Sequence, residues 1–111
     1  MKRGEIYLVD LGPPIGRELG GPRPVVVVSS DVFNAAPMLV IVVIGFEAGS
    51  LPGSLGTVVS APLSGLATEV VFWPTQVRVL DPQRFPASPA GIVPTDLLAK
   101  IVDALKGYLD L

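Results

Sequence analysis

Residues 16–30 read GRELGGPRPVVVVSS: a glycine-rich loop leads into an arginine between two prolines, and four valines follow. The apolar run over residues 24–29 is typical of a β-strand whose two faces are both buried. Pro22 and Pro24 each fix their own φ, and Pro24 also favours an extended backbone at Arg23. This stretch therefore predicts a stiff strand that carries a guanidinium group at its mouth.

Short apolar runs separated by turns continue on both sides of this strand. Half of the 111 residues are apolar, and the chain has 12 glycines and 12 prolines, so many short strands and turns are expected. The patterns predict further strands at residues 5–11, 38–44, 57–61, 69–73 and 76–80. They also predict loops at residues 12–22, 45–56 and 62–67, a short helical turn at 30–34 and a proline-rich linker at 85–94.

The last part of the chain has a helical pattern. Thr95 is the predicted N-cap of a C-terminal α-helix, and Asp96 suits its positive first turn. The apolar stripe of this helix consists of Leu97, Leu98, Ile101, Val102, Leu105, Tyr108 and Leu109. The complete pattern predicts one mainly β domain over residues 1–111, a small antiparallel barrel of five to seven strands that the helix closes.

The composition excludes several kinds of site. The chain has no cysteine and no histidine, which rules out disulfides, thiolate metal sites and Ser-His-Asp or Cys-His catalysis. No two carboxylates have the D-x-D or E-x-x-E spacing of a hard-metal site, so neither a metal nor another cofactor is expected. A formal charge of −2 and a pI of about 4.9 argue against a large basic surface for DNA but allow a small basic site.

The sequence pattern contains no recognisable targeting or membrane segment. Charges and turn signals interrupt the first residues, and the longest apolar stretch, residues 38–44, is too short to span a bilayer. We therefore expect a soluble cytoplasmic protein. The high apolar fraction of so small a chain favours a buried interface between copies.

Four features are candidates for chemistry. The glycine-rich loop lacks the G-K-[ST] of a P-loop and precedes a strand, so a surface loop is favoured. Arg23 either offers its guanidinium fork to a phosphate, or is a strand-end arginine that reaches water or pairs with a carboxylate such as Glu18. Gln76 and Arg78 share one strand face, which borders either water or a groove. Trp73 is either a stacking platform for a base or, as favoured here, part of the core.

These features resemble the MazF/PemK family of toxins. Residues 2–34 are similar to the family's opening, R-G-[DE]-[IV]-[WY], then G-x-E-x-G-x-x-R-P and an apolar run. Residues 65–85 are similar to its second signature, Q-[IV]-R followed by D-x-x-R-[LF]. The matching positions are Gly16, Glu18, Gly20, Arg23, Pro24, Gln76, Arg78, Asp81 and Arg84. The resemblance spans the whole chain.

The resemblance implies an SH3-like (CcdB/PemK-like) barrel and a homodimer. It also implies an endoribonuclease, a hydrolase that cleaves single-stranded RNA such as mRNA at selected sequences without a metal. Arg23 would be the catalytic arginine, and the residues that bind RNA or position Arg23 would be Arg17, Glu18, Gln76 and Arg78. The implied protein partner is a cognate antitoxin whose tail covers the active groove, with any DNA contact made only through that antitoxin.

One part of the family's site differs in this sequence. The family has a second catalytic group, a Thr or Ser at the end of the third strand, where this chain has Gly45 and Phe46. The nearest hydroxyls are those of Ser50 and Ser54 in the following loop. Two further interpretations therefore stay open: a barrel that binds antitoxin or RNA without cutting, and a toxin of the same fold that acts on gyrase.

Overall fold

The computed structural model describes residues 1–35 and 39–111. Six β-strands form one antiparallel sheet in the spatial order β4-β5-β3-β2-β1-β6. The strands are β1 (Glu5–Asp10), β2 (Pro22–Val27), β3 (Val40–Glu47), β4 (Thr57–Val59), β5 (Val70–Leu80) and β6 (Gly91–Ile92). The sheet is curled into a half-barrel whose edges are β4 and β6.

Helices and short 3₁₀ turns connect the strands and cover the sheet. The helices are α1 (Asp31–Ala35), α2 (Ala61–Ser64) and α3 (Thr95–Leu109), and the 3₁₀ turns are Gly53–Leu55 and Pro82–Arg84. On α3, Leu98 and Ile101 are buried against the sheet, which stabilises the fold by about 1.5–3 kcal/mol for each side chain. The helix is capped at its C-terminus by Asp110, which has a left-handed backbone conformation and donates its N–H to the carbonyl of Gly107.

Alternate side chains along each strand enter one of two apolar cores. The first core lies on the face that the loop between β1 and β2 covers, and it consists of Tyr7, Val9, Leu11, Leu19, Val25, Val27, Val40, Val42, Ile44, Phe46, Val71 and Leu80. The second core lies under α3, and it consists of Ile6, Val26, Val43, Val59, Val70, Phe72, Val93, Leu98 and Ile101. Because β2 contributes to both, its uninterrupted valine run is explained.

The predicted fold class, a small antiparallel β structure of five to seven strands with a C-terminal helix, is confirmed. The predicted helical turn at residues 30–34 is also present, as α1. Two predicted strands, residues 69–73 and 76–80, are instead one strand, β5. Its pairing with β3 jumps from Val43↔Val77 to Gly45↔Phe72, so residues 73–76 form a bulge that bends the strand without ending it.

Several element bounds differ from the prediction. The strand predicted at residues 57–61 ends at Val59, and α2 takes up residue 61 and residues 62–64 of the predicted loop. The predicted linker contains β6, because Gly91 lies against the carbonyls of α2 and its strand pairs with β1. The N-cap of α3 is Pro94, so Thr95 is the first helical residue rather than the cap. The third strand runs on to Glu47, past its predicted end at residue 44, and its predicted start at residue 38 lies outside the described residues.

Candidate active site

The loop between β1 and β2 is held in place by its own hydrogen bonds. At its base, the Gly21 N–H donates to the carbonyl of Gly12 at 2.8 Å. Within the loop, a Glu18 carboxylate oxygen accepts from the Ile15 N–H at 2.9 Å. Position 20 has room only for glycine, because a Cβ there would lie 2.5 Å from a side-chain carbon of Pro14. The glycine-rich sequence therefore builds a folded surface loop, as its sequence favoured.

Gln76 attaches this loop to β5. Its side-chain oxygen accepts from the Leu19 N–H at 3.2 Å, and its side-chain nitrogen donates to the Arg17 carbonyl, also at 3.2 Å. Leu19 is buried in the first core, so the loop is fixed by one apolar and two polar contacts. Gln76 lies half-buried at the bulge of β5, where the strand bends towards the loop.

A pocket of about 340 Å³, here called the loop pocket, opens beside Gln76. Its lining residues are Glu18, Leu19, Ile44, Thr75, Gln76, Val77 and Arg78. The structure thus brings together Glu18, Gln76 and Arg78, which were predicted to bind or position RNA. Arg17, which was predicted with them, does not line the pocket, and its backbone carbonyl accepts the hydrogen bond from Gln76. Thr75 was missed, although its place directly before the Gln-Val-Arg signature was a signal for it.

Arg23 lies in a different pocket of about 200 Å³, here called the arginine pocket. Its lining residues are Leu8, Pro22, Arg23, Pro24, Glu47, Leu66, Thr68 and Val70. Arg23 pairs with Val9 of β1, and its Nε donates to the Gly20 carbonyl at 2.9 Å. Among the residues that the structure describes, no acceptor engages its two terminal nitrogens, so the outer edge of the guanidinium is free to bind a ligand.

The two pockets are separate but connected through the β1–β2 loop. None of the four other predicted site residues, Arg17, Glu18, Gln76 and Arg78, is among the described residues that line the arginine pocket. The connection runs along the loop, because Gly20 binds Arg23 and its neighbour Leu19 binds Gln76. The alternative pairing of Arg23 with Glu18 does not describe this structure, since Glu18 accepts from the backbone of its own loop.

Gly45 is packed inside the second core. A Cβ at this position would lie 2.8 Å from Cγ1 of Val70 and 2.9 Å from Cδ1 of Phe72. The next residue, Phe46, is fully buried in the first core. The end of the third strand therefore has no space for the hydroxyl side chain that the resemblance implies there.

The nearby hydroxyls are differently placed. Ser50 donates its Oγ to the Glu47 carbonyl at 2.6 Å and so closes a turn, while Ser54 is exposed in the Gly53–Leu55 turn. Thr68, which sequence reasoning missed, lines the arginine pocket and has a hydroxyl side chain. Thr68 lies within residues 65–85 but at none of the positions that match the second signature, so only the fold shows that it shares a pocket with Arg23.

Trp73 and the two groups with shifted pKa values lie outside both pockets. Trp73 packs edge-on against Phe46, with ring centroids 6.2 Å apart, in agreement with the favoured place in the core.

Burial raises the pKa of Tyr7 to about 12, helped by its hydrogen bond to Glu5. The Arg3 backbone N–H lowers the pKa of Asp31, whose carboxylate accepts it at 2.7 Å.

Within residues 1–35 and 39–111, no three acidic side chains come together as a possible metal site. Over the same ranges, no helix has the length and apolar character that a bilayer span requires.

Comparison with known proteins places this geometry in a family. The model of the PemK-like, MazF-like toxins of type II toxin–antitoxin systems matches residues 2–109. Endoribonuclease PemK from Escherichia coli is 32% identical over 109 residues, which cover 98% of this chain and 82% of that protein. Endoribonuclease MazF9 from Mycobacterium tuberculosis strain H37Rv is 36% identical over 118 aligned positions, which cover 100% of this chain and 98% of that protein.

A solved structure agrees with the fold. The crystal structure of MazF from Deinococcus radiodurans superimposes with a TM-score of 0.79, and the match covers 100% of this chain and 97% of that one at 22% identity. Sequence and fold therefore point to one group of proteins over nearly the full length. The chain belongs to the PemK-like, MazF-like toxins of type II toxin–antitoxin systems.

Proposed function

We propose that this protein is the toxin of a type II toxin–antitoxin pair and an endoribonuclease that cuts single-stranded RNA at selected sequences. The observation that carries the proposal is the Pro22-Arg23-Pro24 strand end, which presents a guanidinium with free terminal nitrogens to an open pocket. The relatives named above, which align along nearly the whole chain, are endoribonucleases by name.

Arg23 is suited to hold a phosphodiester. A guanidinium offers five N–H donors in a planar fork that matches phosphate oxygens, and within residues 1–35 and 39–111 only the Nε–H is engaged, by the Gly20 carbonyl. The two prolines fix the backbone, so little freedom is lost when the fork binds. The positive charge would stabilise the extra negative charge of the transition state, which is the largest effect in many enzymes of this kind.

The loop pocket is proposed to read the RNA sequence. Gln76 uses one N–H and one lone pair for the loop, which leaves one donor and one acceptor for a base edge. Glu18 adds an acceptor and Arg78 adds donors within the same pocket. Unstacked bases of single-stranded RNA expose all these edges, whereas a double helix hides most of them. The polar lining therefore favours a single strand.

Cleavage is proposed to need no metal. The chain lacks histidine and cysteine, so the strongest nitrogen and sulfur ligands are unavailable, and arginine supplies the positive charge that a metal would otherwise bring.

The partners follow from family membership and remain proposals. A cognate antitoxin would cover the active groove with a flexible acidic tail, attracted by the cations of Arg17, Arg23 and Arg78 despite the net charge of −2. Contact with DNA would occur only through that antitoxin. We also propose a homodimer in the cytoplasm.

The test is cleavage of a mixed RNA pool by the purified toxin in the presence of EDTA, followed by mapping of the new ends. We expect cuts at a short shared sequence, each leaving a 2′,3′-cyclic phosphate and a 5′-hydroxyl. A pool that stays intact overturns the ribonuclease. Retained binding to an antitoxin would then favour the non-cutting module, and inhibition of gyrase supercoiling would favour the gyrase toxin.

A further inference from the structure

Thr68, a residue with a hydroxyl side chain, lines the arginine pocket, whereas β3 has Gly45 where the resemblance implies a hydroxyl. Position 45 is filled from the opposite strand, because Val70 and Phe72 of β5 occupy the space that a side chain there would need. Val70 also lines the arginine pocket. The arginine pocket therefore takes Val70 from β5 and Thr68 from the residues that lead into it, beside Glu47 at the end of β3.

Thr68 and Glu47 lie on either side of Val70. Thr68 precedes Val70 by two residues, and Glu47 is the Cα partner of Val70 across the β3–β5 pairing. Both residues are exposed, and both line the arginine pocket together with Arg23. The pocket thus combines a cationic fork, a hydroxyl and a carboxylate.

Hydrogen bonds fix the backbone that carries these two groups. The Ala48 N–H donates to the Glu69 carbonyl at 3.0 Å, which joins the residue after Glu47 to the residue after Thr68. The Ser50 hydroxyl closes the turn on the Glu47 carbonyl. The two groups therefore extend from a fixed frame, as a preorganised site requires.

On the basis of the ribonuclease function proposed above, we propose that Thr68 and Glu47 complete the active site of this chain. The Thr68 hydroxyl donates a hydrogen bond to a non-bridging phosphate oxygen, in the role that the side chain at position 45 cannot fill. The Glu47 carboxylate accepts the proton of the ribose 2′-hydroxyl. Arginine in general is a poor base, so a proton acceptor separate from Arg23 is needed.

The reaction step is a transesterification. Glu47 takes the 2′-hydroxyl proton as the 2′-oxygen forms a bond to phosphorus. The bond from phosphorus to the 5′-oxygen breaks, and the leaving oxygen takes a proton from water. The products are a 2′,3′-cyclic phosphate and a 5′-hydroxyl, and the Glu47 proton then returns to solvent. Arg23 and Thr68 hold the two non-bridging oxygens on which negative charge increases.

The test compares single-turnover cleavage rates of matched variants on an RNA that the wild type cuts. Thr68→Val keeps the shape but removes the hydroxyl, and we expect its rate to fall on the order of a hundred-fold. Thr68→Ser keeps the hydroxyl and should cut within about ten-fold of the wild type. Glu47→Gln should fall on the order of a hundred-fold, since a positioned base contributes at least that much.

Controls come from neighbouring residues that line neither pocket. Ser54→Ala removes a hydroxyl from the loop after β3, and Glu69→Gln removes the exposed carboxylate next to Thr68. Both should cut like the wild type. Binding of an RNA with a 2′-O-methyl group at the cleavage site should be similar for Thr68→Val, Glu47→Gln and the wild type, which shows that these variants are folded and lack only the chemical step.

The outcomes separate this inference from the function on which it rests. If Thr68→Val and Glu47→Gln cut as fast as a wild type that is active, the inference is overturned and the ribonuclease stands. If Ser54→Ala loses activity while Thr68→Val keeps it, the hydroxyl lies in the loop after β3 and the inference is again overturned. A wild type that cuts no RNA overturns both.

Discussion

Gly45 shows how one residue decides where the chemistry of this fold can lie. Its buried position leaves no room for a side chain, because Cγ1 of Val70 and Cδ1 of Phe72 lie 2.8 Å and 2.9 Å from the place of a Cβ. We predict that Gly45→Ser lowers the free energy of unfolding by about 1–3 kcal/mol through overpacking. Urea unfolding of the two proteins measures the difference.

The matched control is Gly53→Ser. A Cβ at position 53 meets no atom within 4 Å, so the same side chain should leave the unfolding free energy nearly unchanged. If Gly45→Ser is as stable as the wild type, then position 45 can hold a hydroxyl and the reason for placing it at Thr68 disappears.

Tyr7 gives the fold a dependence on alkaline pH. Burial raises the pKa of its phenol from 10.0 to about 12, so the folded state disfavours the ionised form. The stability contributed by the neutral phenol is complete below about pH 10 and falls as pH rises towards 12, by about 2 kcal/mol in total. Unfolding by urea at pH 9 and at pH 11.5 should show this loss.

Tyr7→Phe tests the assignment of that loss. The variant has no phenol to ionise, so its unfolding free energy should fall less between the two pH values than that of the wild type. Tyr108→Phe, in which an exposed tyrosine of α3 is changed, is the reference for removing a phenol hydroxyl elsewhere. An equal loss of stability in Tyr7→Phe and the wild type would contradict the assignment.

At the scale of elements, Gln76 connects the β1–β2 loop to β5. We predict that Gln76→Ala raises the exchange rate of the Leu19 amide about five-fold, as expected for the loss of a hydrogen bond worth about 1 kcal/mol. Hydrogen exchange followed by NMR measures this rate. Gln83→Ala is the control, because that side chain is exposed and the structure uses only its backbone N–H. An unchanged exchange rate of the Leu19 amide would show that the loop keeps its structure without the hydrogen bond to Gln76.

Helix α1 is fixed to the sheet by a buried pair of polar residues. Ser29 donates its Oγ to the Asn34 amide oxygen at 2.7 Å, and the Asn34 amide nitrogen donates back to the Ser29 carbonyl at 3.0 Å. We predict that Asn34→Ala costs about 1–3 kcal/mol in unfolding free energy, since buried polar groups lose their partner. The neighbouring exposed Ser30→Ala should cost much less, and equal effects in chemical denaturation would contradict this account.

Sequence patterns predict the elements of this fold unevenly, for physical reasons. The valine run of β2 and the stripe of α3 are strong signals, because burial on two faces or along one helical stripe constrains many residues at once. The prediction of two strands was wrong at residues 73–76, because a proline such as Pro74 usually interrupts a central strand. The sheet instead absorbs these residues as a bulge, and Pro74 is buried within it.

At the scale of the whole molecule, the exposed apolar surface is consistent with the predicted contact between copies. Phe33, Leu39, Ile41 and Val79 line a pocket of about 290 Å³ and are all more than 40% exposed. Light scattering during gel filtration should give about twice the mass of one 11.6 kDa chain. A mass of one chain at every concentration from micromolar upwards would contradict the homodimer.

The candidate site could be read from the sequence only in part. Arg23 and Gln76 belong to motifs in which neighbouring residues fix the backbone, so short-range patterns reveal them. Thr68 precedes β5 and Glu47 ends β3, and neither is a matching position of a motif, so only the fold shows that they share a pocket. The separation of Arg23 from the loop pocket is likewise a property of the folded chain.

The central claim is that Arg23 carries out the chemistry of an RNA-cutting toxin. The most direct test is the single-turnover cleavage rate of Arg23→Ala in EDTA, beside Arg84→Ala as a control arginine that lines neither pocket. We predict a loss on the order of a hundred-fold or more for Arg23→Ala and a rate close to the wild type for Arg84→Ala. Equal cleavage by Arg23→Ala and the wild type would contradict the claim.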